Sequence, residues 1–142
     1  WRARDRIAFT STNDGSAGLG QVFELDPHRA KLRLVAESSD RAVLENPDNV
    51  TASPRGGYLL CEDGPGSDRL VGLTRGGDLF PFARGSARLA GERGFVGDFT
   101  GSELAGTCFS PRVRGADRWL FVHIQVPGIT CAITGPWSRG SL

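Results

Sequence analysis

The sequence predicts an all-β fold. Its apolar residues come in short runs, the runs recur about every 8–12 residues, and twenty glycines and eight prolines punctuate the gaps. Helices need longer uninterrupted stretches than this spacing leaves.

In chain order, Ile7-Ala8-Phe9-Thr10 forms the first strand, followed by a polar, glycine-rich loop from Ser11 to Gly20. Gln21-Val22-Phe23-Glu24-Leu25 alternates in and out and stops at Asp26-Pro27, a turn signal. Leu32 to Val35 is the third strand. Val50-Thr51-Ala52 leads into the tight turn Ser53-Pro54-Arg55-Gly56-Gly57, and Tyr58-Leu59-Leu60-Cys61 follows it. Leu70 to Leu73, the turn Thr74-Arg75-Gly76-Gly77, and Leu79 to Phe82 come next. Residues 84–103 are rich in glycine and charge and read as a long loop with room for one short helical turn. Thr107-Cys108-Phe109, Trp119 to Val122 and Ile129 to Ile133 close the series.

About ten short strands fit a sandwich, a barrel or a propeller. Propeller blades take four strands each, so ten strands make roughly two to three blades, and a ring of at least four would need further blades elsewhere. A sandwich needs nothing else, and the pattern does not separate the two. The chain starts at Trp1 and contains no methionine, which reads as a fragment of a longer protein.

Composition narrows the function classes. Apolar residues are 39% and charged residues 23%, as in soluble globular chains. No apolar run is long enough for a membrane-spanning helix. With 17 basic and 16 acidic residues, net charge +1, nothing general points to nucleic acid or anionic lipid. Lys31 is the only lysine. Arginine's planar fork suits phosphate and carboxylate, but a genome rich in G and C gives the same bias and is the reading adopted. Cys61, Cys108 and Cys131 form no C-x-x-C pair. One disulfide with a free thiol is possible, and three buried thiols are favoured because each lies in an apolar run.

No H-E-x-x-H, G-x-S-x-G or Walker loop is present, and His28 and His123 are too few for a histidine-rich metal site. What remains is oxygen chemistry, which suits hard cations. Three segments concentrate it: Glu45 to Asn49, Cys61 to Gly64, and Ser102 to Gly106. Glu62 and Asp63 follow directly on an apolar strand, where a carboxylate is costly to bury unless it is paired or bound to metal. The plainer alternatives are a solvated Glu-Asp-Gly turn for Glu62 and Asp63, a turn made by Asn46-Pro47-Asp48-Asn49, and a charge at the start of a helical turn for Glu103. Asn49-Val50-Thr51 fits the glycosylation pattern, a frequent chance match that carries no weight.

The wording of the sequence adds to its spacing. The stretch from Asn46-Pro47-Asp48-Asn49 through Ser53-Pro54-Arg55-Gly56-Gly57 to Cys61-Glu62-Asp63-Gly64 resembles the PhoX family of bacterial alkaline phosphatases. So do Gly72-Leu73-Thr74 with Pro81-Phe82-Ala83-Arg84, and Glu103-Leu104-Ala105-Gly106 with Cys108-Phe109-Ser110-Pro111. Leu120 to Thr130 and Ala132 to Trp137 complete the likeness, which runs in family order from about Gly20 to Trp137.

The resemblance implies that residues 1–142 are the C-terminal part of one six-bladed β-propeller domain. It implies hydrolysis of a small phosphate monoester at a channel cluster of Ca2+ and Fe3+, with this piece inactive by itself, in a protein that is monomeric at full length. It also implies periplasmic or secreted localisation through a twin-arginine signal. Position by position, Glu62 and Glu103 become the metal ligands of first choice, with Asp48 and Asn49 second and Asp63 weaker. No residue is assigned as catalytic. The chain departs from the family at 112–117, where a longer turn stands, and at His123, which replaces an asparagine. A calcium-binding propeller without catalysis is the competing reading.

Overall fold

The computed structural model describes all residues except 1, 4, 113, 115, 116, 138 and 141, so half of the turn expected at 112–117 falls outside the described residues. Strand accounts for 49% of the chain and helix for 2%, so strands and their loops alone build any site. The strands are β1 (Arg2–Ala3), β2 (Arg6–Ser11), β3 (Gln21–Asp26), β4 (Lys31–Glu37), β5 (Pro47–Ala52), β6 (Tyr58–Glu62) and β7 (Arg69–Leu73). Then come β8 (Leu79–Arg84), β9 (Arg88–Ala90), β10 (Val96–Asp98), β11 (Leu104–Phe109), β12 (Trp119–Ile124) and β13 (Ile129–Thr134).

They form four antiparallel sheets, none closed: β1-β2-β3-β4, β5-β6-β7-β8, β11-β12-β13 and the pair β10-β9. All ten expected strands are present. Within 84–103, read as loop, β9 and β10 form a hairpin around a 3-10 turn at Glu92–Gly94. Three-residue strands framed by glycine and charge carry too little alternation to be read from sequence. Pro47-Asp48-Asn49 is also strand rather than turn: it begins β5, with Asp48 as the extra residue of a bulge between Pro47 and Asn49.

Turn chemistry sets the hairpins. Asp26 Oδ1 accepts the backbone N–H of His28 and of Arg29, both at 3.1 Å. Ser53 Oγ accepts from the Gly57 N–H at 3.0 Å, and Thr74 Oγ1 accepts from the Gly76 and Asp78 N–H groups. Gly20 is required in the loop before β3. Its φ is +102°, and a Cβ there would lie 2.3 Å from Pro47 Cδ and 2.6 Å from the Thr12 carbonyl oxygen. Gly20→Ala is expected to cost about 2–4 kcal/mol, from backbone strain and overpacking together. A urea midpoint equal to that of the parent would contradict this.

The β5–β8 sheet lies between the other two large sheets, so both of its faces are covered. Tyr58, Leu60, Val71 and Leu73 join Ala8, Val22 and Ala36 on one side. Leu59, Cys61 and Leu70 join Leu104, Leu120, Val122 and Ile124 on the other. Side chains alternate faces along a strand, so a strand covered twice is apolar throughout; all five residues of β6 are buried. The far face of the first sheet is uncovered. Ile7, Phe9, Leu32 and Leu34 are 40–54% exposed there, and Phe9 stacks on Phe23 with ring centroids 5.4 Å apart.

The three thiols are free, but only Cys61 is buried. Cys108 is exposed and Cys131 half-buried. Both lie in apolar strands as expected, yet Cys108 stands opposite Phe121 on the outward side of the β11–β13 sheet. An apolar run does not say which of its alternate residues faces in.

Candidate functional site

At the end of β6 the chain passes from the doubly covered sheet into a loop, Asp63 to Asp68, that carries acids at both ends. Glu62, the last residue of β6, has 4% of its side chain exposed. The β6–β7 register pairs Cys61 with Leu70, so Glu62 and Arg69 are the next cross-strand couple. Arg69 Nε donates to Glu62 Oε2 and Arg69 Nη2 to Oε1, each at 2.6 Å, a bidentate clasp. The Glu45 N–H donates to Oε1 at 2.8 Å. Arg69 also donates to the backbone carbonyls of Ala42 and Arg41. Three of the roughly four acceptor positions of Glu62 are thereby filled.

Glu103 immediately precedes β11 and starts no helical turn, which corrects one of the plainer alternatives. It lines a pocket of about 470 Å³ with Asp63, Asp68, Asp98 and Gln125. Burial pushes its carboxyl above the usual range, and the negative charges of Asp63, Asp48 and Asp68 push the same way. Asp68 is buried, 5% exposed, and accepts one bond from the Gly64 N–H at 3.2 Å. Burial and the neighbouring Asp63, Glu62 and Glu45 likewise raise its carboxyl.

Glu62 and Glu103 open onto adjacent pockets that share Gly64 and Asp68. The exposed Asp48 accepts from Asn49 Nδ2 at 2.9 Å. His123 bonds Thr130 across the β12–β13 pair at 3.1 Å and does not line the acidic pocket.

The donor set suits a hard cation in kind: carboxylates and an amide, with no thiol or imidazole. It does not suffice in spacing. Among the described residues no three His, Cys, Asp or Glu side chains stand close enough to hold a metal ion.

Asp68 and Asp98 were missed from sequence. Asp68 closes the run Gly64-Pro65-Gly66-Ser67, where an acid reads as solvated turn, and Asp98 ends a strand that was itself not seen. Asp98 also pairs with Arg88 at 3.1 Å.

A second polar constellation lies near the other end of β6, between the first two sheets. The buried Glu24 accepts from Arg6 Nη1 at 2.9 Å, from Arg33 Nη2 at 2.8 Å and from the Tyr58 hydroxyl. Burial alone would raise the Glu24 carboxyl. The bonds from Tyr58, Arg33 and Arg6 outweigh it and leave the group below its ordinary value of 4.5. The folded state therefore binds fewer protons than the unfolded one in acid. Stability from this group is complete above about pH 4.5 and is lost as pH falls through the lower folded value. Glu24→Gln is expected to flatten that acid limb, read as urea stability between about pH 5 and 3; an unchanged slope would contradict the assignment.

An all-β protein of serial antiparallel meanders, with carboxylates gathered at loops on one end of its central sheet, is the class that fold and site define. The chain belongs to the PhoX family: the family model described as alkaline phosphatase PhoX matches residues 3–128 of the 142. No curated protein matches the chain, and no solved structure does.

Proposed function

We propose that this chain supplies part of a β-propeller phosphatase that hydrolyses small phosphate monoesters, its acidic pocket contributing ligands to a calcium and iron cluster. The observation that carries the reading is the crowding of Asp63, Asp68 and Glu103 around one pocket, with the Asp68 and Glu103 carboxyls raised by burial and by like charge. A hard cation relieves such repulsion. Membership of the alkaline phosphatase family supports the chemistry. Serial stacking of meander sheets, with one apolar face left uncovered, supports further blades beyond those described.

In this reading Glu103, Asp68 and Asp63 are the chain's contribution. Glu62 keeps one acceptor position, on Oε2, for a ligand role beside its clasp with Arg69. Asp48 does not line the acidic pocket but adds its negative charge to the surroundings of Glu103, and Asn49 donates to Asp48. Cations held in part by Glu103, Asp68 and Asp63 would offset the charge on the phosphate oxygens. The chain's own residues do the positioning: Arg69 fixes the start of the 63–68 loop through Glu62, and Ser102 Oγ, accepting from the Val126 N–H at 2.8 Å, ties the 98–103 loop to the β12–β13 turn. Localisation outside the inner membrane and a monomeric full-length protein complete the proposal.

The test is hydrolysis of p-nitrophenyl phosphate by the full-length protein, with calcium and with a chelator. Chelation and Glu103→Gln should each lower turnover at least about tenfold. Turnover unaffected by either sinks the reading, and calcium protection against heat without any hydrolysis favours the non-catalytic module.

A further inference from the structure

We propose that the cleft between the first and second sheets, at the β6 end remote from the acidic pocket, binds a phosphate group as an anion. The inference does not rest on the cation reading. The cleft is about 560 Å³ and is lined by Arg6, Arg33 and Arg75 together with Glu24, Tyr58 and Ser53. A smaller cleft shares Arg6, Glu24 and Arg33 with it and adds Arg29, Lys31 and Asp26. Together they present five basic side chains against two acidic ones. In a chain of net charge +1, that local excess sets this cleft apart.

The arginines are held in place. Glu24 is buried, 7% exposed, at the floor between the sheets, and it fixes Arg6 and Arg33 through one N–H of each. A guanidinium carries five N–H donors, so each contact with Glu24 spends a fifth of that capacity. The Tyr58 hydroxyl donates to the other Glu24 oxygen and completes the anchor. Glu24 holds the two guanidinium forks of Arg6 and Arg33 in the lining of the cleft, and Arg75, from the β7–β8 turn of the second sheet, lines the same cleft. Arg29 is drawn toward Asp26 at 3.9 Å at the outer margin. Tetrahedral oxyanions match such planar forks, and a dianion offsets two of the three excess positive charges.

Tyr58 and Glu62 lie four residues apart on β6, roughly 13 Å along the strand, so this cleft and the acidic pocket occupy different ends of the central sheet. One end gathers carboxylates and the other arginines.

The experiment is isothermal titration of the protein, held in chelator so that no cation bridges phosphate to the acidic pocket. Inorganic phosphate and 2-glycerophosphate are separate arms. Saturable binding is expected, weakened about tenfold by Arg75→Gln and further by Arg75→Gln with Lys31→Gln. Binding should be unchanged by Glu103→Gln. Arg75 is outside the Glu24 anchor, so its loss should leave folding intact, which circular dichroism checks. Tighter binding in the free-phosphate arm assigns the site to the free anion; tighter binding in the ester arm assigns it to an esterified phosphate group. No saturable binding in either arm up to about 20 mM, an affinity weaker than about −2.3 kcal/mol, overturns the proposal. Binding that Arg75→Gln leaves intact but Glu103→Gln removes overturns it too, since it would place the anion at the other end of the sheet.

Discussion

Replacing Arg69 with alanine is expected to destabilise the fold by about 3–5 kcal/mol. The side chain of Glu62 is 4% exposed and that of Arg69 13%, so the variant strands a buried carboxylate whose two bonds to the guanidinium are gone. The backbone carbonyls of Arg41 and Ala42 lose a donor in the same step. The cost is therefore that of an uncompensated charge rather than of the pair itself. Arg69→Met combined with Glu62→Gln removes both charges and should recover most of the loss. Denaturant titration of the two variants separates these outcomes. A loss below about 1 kcal/mol for Arg69→Ala would mean that water reaches Glu62, as at an exposed pair.

Leu60→Ala is expected to cost about 2–5 kcal/mol. Leu60 is fully buried at the middle of β6 and packs in the cluster that joins the first sheet to the second. β6 is covered on both faces and carries Tyr58 near one polar constellation and Glu62 at the other, so a cavity at its centre loosens the element that spaces the two. A urea midpoint shifted by less than about 1 kcal/mol would show that the neighbouring side chains collapse into the gap.

Much of the fold was legible because strands announce themselves by alternation. The doubly apolar Tyr58 to Cys61 shows a strand covered on both faces, Gln21 to Leu25 shows a strand although its buried residues are Val22 and Glu24, and Asp26, Ser53 and Thr74 mark turns that their side chains then build. Where the local signal was weak, the reading went astray. The β9–β10 hairpin has three-residue strands, and the Asp48 bulge sits in a sequence of turn-forming residues that the β5–β6 ladder nonetheless recruits.

The candidate site was half legible. A carboxylate at the inner end of β6 had to be paired or metal-bound, and Glu62 is paired with Arg69. The partner could have been found by setting the hairpin register from the two expected strands, which places residue 69 opposite residue 62. Asp68 was not accessible this way. Its burial arises from the 63–68 loop folding back beside Glu103, a long-range juxtaposition that no spacing encodes. The Arg6–Glu24–Arg33 anchor was hidden for the same reason: a glutamate alternating within β3 reads as solvent-facing until a second sheet covers it.

The most direct measurement is the melting temperature of the protein in calcium-free buffer and again with calcium, for the parent and for Glu103→Gln. A cation to which Glu103 contributes one ligand among others in the full-length protein should raise the parent's melting point by several degrees, since ligand at a hundred times its dissociation constant contributes about 2.7 kcal/mol. Most of that rise should vanish in the variant. A parent that melts at one temperature regardless of calcium, or a variant that gains as much as the parent, would contradict the account.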